Sequence, residues 1–283
     1  MAEKKGAKKK KGESTLIVIG GHEDKEGEKR ILNEVASRVG SGKLVVATVA
    51  TESPDDVWEE YEKLFRELGV KRIEHLDVRE REEALSEGCA DILDGASVVF
   101  FTGGDQLKIT SQLGDSKVYQ KIEDLLEKGG TIAGTSAGAS VMSATMLISG
   151  PGDQSPNVSE AIRMAPGLGL LPDIIVDQHF AERGRLGRLI AAIAQNPRYL
   201  GVGIDEDTAI VVHDGKSFEV VGSGAVYVLD GSKICYSNLA EEKDARDKLL
   251  TVFDVKVHLL AEGYGFDLQE RRPMEAQQLA KAS

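Results

Sequence analysis

Residues 131–140, TIAGTSAGAS, hold one serine between small residues where an apolar run gives way to a helix-compatible one. Gly134-Thr135-Ser136-Ala137-Gly138 fits Gly-x-Ser-x-Gly, the pattern of a nucleophile elbow. Glycine is required at such a turn because two backbone segments approach where a β-carbon would clash. The turn holds the serine hydroxyl clear of the sheet, and the helix that follows points backbone N–H groups at negative charge developing beside it. That is the geometry of acyl transfer. Serine is also a common helix N-cap, so the pentapeptide alone is weak evidence; the apolar strand before it and the small-residue helix after it favour the nucleophile.

A nucleophilic serine needs a base. Of five histidines, His75 falls in a strand, His213 borders a hairpin turn and His258 lies in a late strand-like run. His22 follows the first strand in a glycine-rich loop; like His179 it stands at the carboxyl end of a predicted strand, where open α/β sheets build their sites. His179 is the stronger candidate. Its segment, DQHFAERGRLGRL, surrounds it with Asp177, Gln178, Arg183, Arg185 and Arg188, an odd way to begin a helix that merely shows a basic face to water. An orienting carboxylate is available from Asp205, Glu206 or Asp207 in GIDEDTA, and spacing does not choose among them. For Asp205 and Asp207, turn and capping roles serve as well. Oxyanion donors are expected from the Ala137 N–H and from the Gly103-Gly104 turn, with Gly104 the chosen donor.

These groups must be positioned by the elements around them. From residue 15, short β-branched runs (TLIVIG, KLVVATVA, RIEHLDV, SVVFFTGG, TIAG, DIIVDQ) alternate with amphipathic segments at 28–39, 54–68, 79–93 and 117–128. The pattern predicts an α/β fold, a mostly parallel sheet flanked by helices. Trp58, Leu64 and Phe65 read as core. From Thr208 the rhythm becomes antiparallel, with hairpin turns expected at Asp214-Gly215 and Asp230-Gly231. Residues 150–169 read as a long loop of the kind that often carries function. The expected organisation is a disordered lysine-rich tail at 1–14, one α/β domain at 15–268 with an antiparallel extension, and a polar tail at 269–283.

The formal charge of -12 argues against nucleic acid as a partner. The six lysines of residues 1–12 suit a solubilising tail and form neither a signal peptide nor an anchor. No apolar window reaches transmembrane length. Cys89 and Cys235 are far apart, with no ligands at metal spacing, so neither a disulfide framework nor a zinc site is expected, and a reducing cytoplasm fits best.

Together, TGGDQ, GTSAGAS, DQHFAERGRLGRL and GIDEDTA resemble the cyanophycinases, serine peptidases related to the aspartyl dipeptidases of the peptidase E type, over about residues 16–237. The resemblance implies a class I glutamine amidotransferase-like or flavodoxin-like fold. It also implies Ser136 as nucleophile, His179 as base and Glu206 as orienting acid. The implied substrate is cyanophycin, a poly-aspartate chain bearing an arginine on each side-chain carboxyl, released as β-Asp-Arg dipeptides through an acyl-enzyme. No metal or organic cofactor is implied, and a homodimer is. Gln106, Asp177, Gln178, Arg183, Arg185 and Arg188 are the implied substrate contacts, the arginines gripping carboxylates and Asp177 a guanidinium. Two other readings stay open: a peptidase E-like enzyme acting on short α-aspartyl peptides, and a non-catalytic binding domain on the same fold.

Overall fold

In the computed structural model, residues 13–149, 162–240 and 249–275 are described. Five aliphatic runs pair in parallel at the centre: β1 (Thr15–Ile19), β2 (Lys43–Ala47), β3 (Ile73–Leu76), β4 (Ala96–Phe101) and β5 (Thr131–Thr135), in spatial order β1-β5-β4-β2-β3. Successive side chains of a strand point to opposite faces, so each run builds two cores. Leu16 and Val18 pack with Val99, Phe101 and Ile132 on one face, whereas Ile17 and Ile19 join Leu44, Val46 and Phe100 on the other. Helices α1 (Arg30–Ser37) and α2 (Pro54–Glu67) cover the second face through Leu32, Val35, Leu64 and Phe65. Trp58 packs at the edge of that cluster, stacked on His75 at 4.7 Å.

The expected helix over 79–93 breaks into α3 (Arg81–Ala84), α4 (Glu87–Ala90) and a single 3-10 turn at Asp91–Leu93. The Ser86 hydroxyl accepts from the Cys89 N–H and restarts the helix, and Gly88 gives its interior little support. An unexpected helix, α5 (Gln106–Leu113), is capped by Asp105, whose carboxylate accepts from the Leu107 N–H at 2.8 Å. With α6 (Lys117–Glu127) and the short α7 (Ala137–Ser140) it covers the first face. β6 (Thr145–Ser149) and β7 (Arg163–Pro166) form a separate antiparallel pair.

A second sheet begins with β8 (Ile174–Gln178), which runs parallel to β9 (Leu200–Ile204); α8 (Leu186–Gln195) connects them. The main sheet is extended antiparallel by β10 (Thr208–His213) and β11 (Ser217–Gly222), the expected hairpin around Asp214-Gly215. The second expected hairpin is not formed. β12 (Val226–Asp230) lies between β9 and β15 (Lys256–Leu260), so both its edges are taken. The residues after its turn, β13 (Tyr236–Ser237), pair instead with β14 (Val252–Phe253). β16 (Gly265–Asp267) and β17 (Arg272–Met274) close the edge of the main sheet. Sheet order is thus β17-β16-β11-β10-β1-β5-β4-β2-β3 and β15-β12-β9-β8. No helix among the described residues is long and apolar enough to cross a membrane. The lysine-rich segment 1–12, most of the 150–169 loop and residues 276–283 of the C-terminal tail lie outside the described residues.

Candidate active site

Three strand ends converge on one loop, the segment after β1. Ser136, the residue after β5, has φ 53° and ψ −107°, a conformation rarely adopted by non-glycine residues and retained where the surroundings enforce it. They do so from both sides. Its N–H donates to the Ile19 carbonyl at 3.1 Å, and its carbonyl accepts from the Ala139 and Ser140 N–H groups. The two motif glycines make the turn possible: a β-carbon on Gly134 would lie 2.5 Å from the Gly138 carbonyl oxygen, and one on Gly138 would lie 2.5 Å from that of Phe101.

His179 follows β8, also left-handed at φ 47°, and its N–H donates to the Gly20 carbonyl at 2.8 Å. Its ring passes over Gly21, where a β-carbon would sit 2.3 Å from Cε1. Glu206 lies just beyond β9. The adjacent acids have other tasks: Asp207 donates its N–H to the Gly21 carbonyl and accepts the Asp24 N–H, while Asp205 accepts from the Ala181 and Ala225 N–H groups. Structure therefore separates three carboxylates that spacing could not.

The side chains form one chain of hydrogen bonds. Ser136 Oγ is 3.0 Å from His179 Nε2, His179 Nδ1 is 2.6 Å from Glu206 Oε1, and Glu206 Oε2 is 2.8 Å from His22 Nδ1. With the imidazole proton on Nδ1 facing the carboxylate, Nε2 is left to accept from the serine hydroxyl. Burial lowers the His179 pKa below the ordinary imidazole value and Arg183 adds to this, while the Glu206 hydrogen bond opposes it. Burial works to raise the Glu206 carboxyl, but the hydrogen bonds from His22 and His179 outweigh it and hold the group below its usual range. His22, Glu206 and His179 also offer three potential metal-ligand atoms within 4.8 Å of one another, though each group is engaged in the chain just described.

This chain opens into a cleft of about 480 Å³ lined by His22, Glu23, Lys25, Tyr61, Gly103, Ser136, His179 and Arg183 among others. Sequence reasoning set His22 aside, yet its ring meets His179 edge-on at 5.1 Å. Its place after β1, level with His179, was the available signal. Glu23 and Tyr61 were not foreseen.

The two glycines of the expected second oxyanion donor stand differently. Gly103 lines the cleft, and a β-carbon on it would lie 3.6 Å from the Ser136 β-carbon; Gly104, at φ 140°, is pressed against the Ala50 carbonyl instead. Ala137 is buried directly behind Ser136.

Of the expected substrate contacts, Arg183 alone is exposed on the cleft wall, and it has no carboxylate partner within ion-pair distance among the described residues. The other five have partners within the protein. Asp177 is fully buried and grips Arg188 through both oxygens, one of them at 2.6 Å from Nε, and Arg185 at 3.2 Å. Gln178 accepts from Arg185, whose guanidinium burial lowers its pKa to about 10. Gln106 gives its side-chain amide to the Leu147 carbonyl. These five groups satisfy one another or the backbone and do not line the cleft.

A strained strand-to-helix serine bonded to an imidazole with a carboxylate behind it, on a parallel sheet flanked by helices, is the arrangement of a serine-type hydrolase. The sequence profile of peptidase family S51 matches residues 16–220, and the chain belongs to that family of serine-type peptidases. It is 39% identical over 266 residues to the cyanophycinase of Trichormus variabilis, covering 93% of this chain and 88% of that one. It is 36% identical over 264 residues to the cyanophycinase of Geminocystis herdmanii, covering 92% and 96%. In fold it is similar to a crystal structure of a peptidase from an acI-B1 Actinobacterium, with a TM-score of 0.63, 22% identity and coverage of 91% and 97%. A putative peptidase E protein from Listeria monocytogenes has a TM-score of 0.51 at 16% identity, covering 75% and 100%.

Proposed function

We propose that the protein hydrolyses cyanophycin to β-Asp-Arg dipeptides, with Ser136, His179 and Glu206 as its catalytic triad. The observation that carries this is the hydrogen-bond chain from the Ser136 hydroxyl through His179 to Glu206, in a chain whose relatives of 36–39% identity are named cyanophycinases. His179 takes the hydroxyl proton as Ser136 attacks the scissile carbonyl, and Glu206 stabilises the imidazolium that forms. N–H groups of Ala137 and the Gly103 turn receive the oxyanion. His179 then protonates the leaving amine, and water, deprotonated by the same imidazole, releases the acyl group.

Arg183, at the cleft wall and without a carboxylate partner among the described residues, would hold a substrate carboxylate. The reading as an enzyme of short α-aspartyl peptides is not favoured, because the likeness to the peptidase E protein is one of fold alone. Free Cys89 and Cys235 suit a reducing cytoplasm, and a homodimer follows from the family resemblance; cell fractionation and sedimentation test these two.

Incubation with insoluble cyanophycin, with products identified by mass, tests the function. Soluble β-Asp-Arg is expected from the unaltered protein and none from Ser136→Ala. An intact polymer after exposure to the unaltered, folded protein overturns the proposal.

A further inference from the structure

The cleft holds a charged group that the hydrolytic chain does not use. Glu23, in the segment after β1, is only 4% exposed and yet lines the cleft. Its Oε1 accepts from the Tyr61 hydroxyl at 2.5 Å, and its Oε2 accepts from the Thr135 hydroxyl, on the residue before the nucleophile, at 2.6 Å. Both donors are neutral. No lysine, arginine or histidine among the described residues lies within ion-pair distance of it; Lys25, the neighbouring cation, is bound to Glu60 at 3.0 Å and covers the Tyr61 ring at 4.4 Å. The Tyr61 hydroxyl is pushed well above its usual pKa, by burial first and then by Glu23 beside it, so it stays a neutral donor.

A buried carboxylate without a countercharge is costly to maintain, and one that borders a cleft can obtain its countercharge from a ligand. Each Glu23 oxygen accepts one hydroxyl and keeps acceptor capacity beyond it. A carboxyl group with acceptor capacity left on both oxygens suits the planar fork of a guanidinium, which sheds water more readily than a compact ammonium does. At the cleft wall stands the opposite charge, Arg183, which has no carboxylate partner among the described residues. A cleft with a buried anion beside the nucleophile and an exposed cation complements an arginine whose amine is amide-linked and whose carboxylate is free.

We infer that Glu23 forms a cation subsite that receives a substrate guanidinium next to Ser136. This rests on the reading of the cleft as the site of an arginine-bearing substrate, and it names the group that would select for that arginine.

Calorimetric titration of the full-length Ser136→Ala protein with β-Asp-Arg and with β-Asp-citrulline, its neutral isostere, tests the inference. Ser136→Ala is expected to bind the arginine dipeptide about 100-fold more tightly than the citrulline dipeptide, the scale of a charge-assisted hydrogen-bond pair. Adding Glu23→Gln should bring the two within a few-fold of each other by weakening the arginine dipeptide alone. No preference in the Ser136→Ala protein, a preference kept after Glu23→Gln, or equal weakening of both dipeptides would each overturn the inference. Melting curves identify variants that fail to fold. Should Glu23→Gln be one, Glu23→Asp decides: a preference cut at least about tenfold supports the subsite and an unchanged one refutes it. Polymer hydrolysis by the unaltered protein is scored separately, so failure of the enzymatic reading leaves the binding result to stand or fall alone.

Discussion

The twelve residues from Asp177 to Arg188 contribute to two constellations with opposite fates. His179 bonds outward to Ser136 and Glu206 at the rim of a cleft, whereas Asp177, two residues earlier, is sealed with Arg185 and Arg188. Strand geometry accounts for part of the difference. Asp177 still belongs to β8, but His179 lies past its end in a left-handed turn that swings the ring over Gly21. Nearness to His179 in sequence is therefore no guide to an arginine's surroundings: Arg185 and Arg188 are buried on Asp177, and Arg183 lines the cleft.

The contrast can be broken in several ways, and the largest effect is expected at the nucleophile. Ser136→Ala should lower kcat on cyanophycin by about a million-fold with an unchanged melting temperature, since it removes the attacking atom and little packing. Product release near the original rate would move the chemistry elsewhere. Glu206→Gln should cost about 10⁴-fold in kcat by favouring the wrong imidazole tautomer.

The sealed constellation should respond in stability rather than in rate. Arg188→Ala leaves Asp177 buried without its bidentate partner, and a loss of about 3–5 kcal/mol is expected in denaturant unfolding, with KM of the folded fraction little changed. A raised KM with stability intact would return Arg188 to the substrate.

The pH profile sharpens the other side. His179 must be neutral to accept a proton, and burial lowers its pKa, so kcat/KM should rise from the acid side with a midpoint below 6.5 and hold through neutral pH. Glu206→Gln removes a group that raises that pKa, so the midpoint of its residual activity should shift further to acid. The smallest effect is expected at His22, whose side chain is 73% exposed. His22→Ala should cost about fivefold in kcat, the scale of one hydrogen bond to the Glu206 carboxylate, as read from initial rates.

Much of this was legible before any coordinates. The elbow at Ser136 and the alternation of strands and helices are local signals, carried by glycine sterics and by side-chain periodicity. Glu206 was reached by resemblance alone, because choosing among three neighbouring acids depends on which one points past the end of β9, a matter of single backbone dihedrals such as φ 46° at Asp207. Pairing partners were the least legible. β12 could not announce that both its edges were occupied by strands on either side of it in sequence, since partner choice is settled by the packing of distant segments. The fate of Arg185 and Arg188 was hidden for the same reason: sequence records charge, and burial belongs to the assembled fold.

The end of β1 and the loop after it accept an N–H from each of the three segments that bear the proposed triad, through the carbonyls of Ile19, Gly20 and Gly21. Ser136 hangs from one sheet, while the histidine and the acid hang from the other. A chain still emerging from synthesis, or one whose second sheet has peeled away, thus displays a hydroxyl with nothing to deprotonate it. Under the proposed roles, such a copy stays inactive until both sheets have joined.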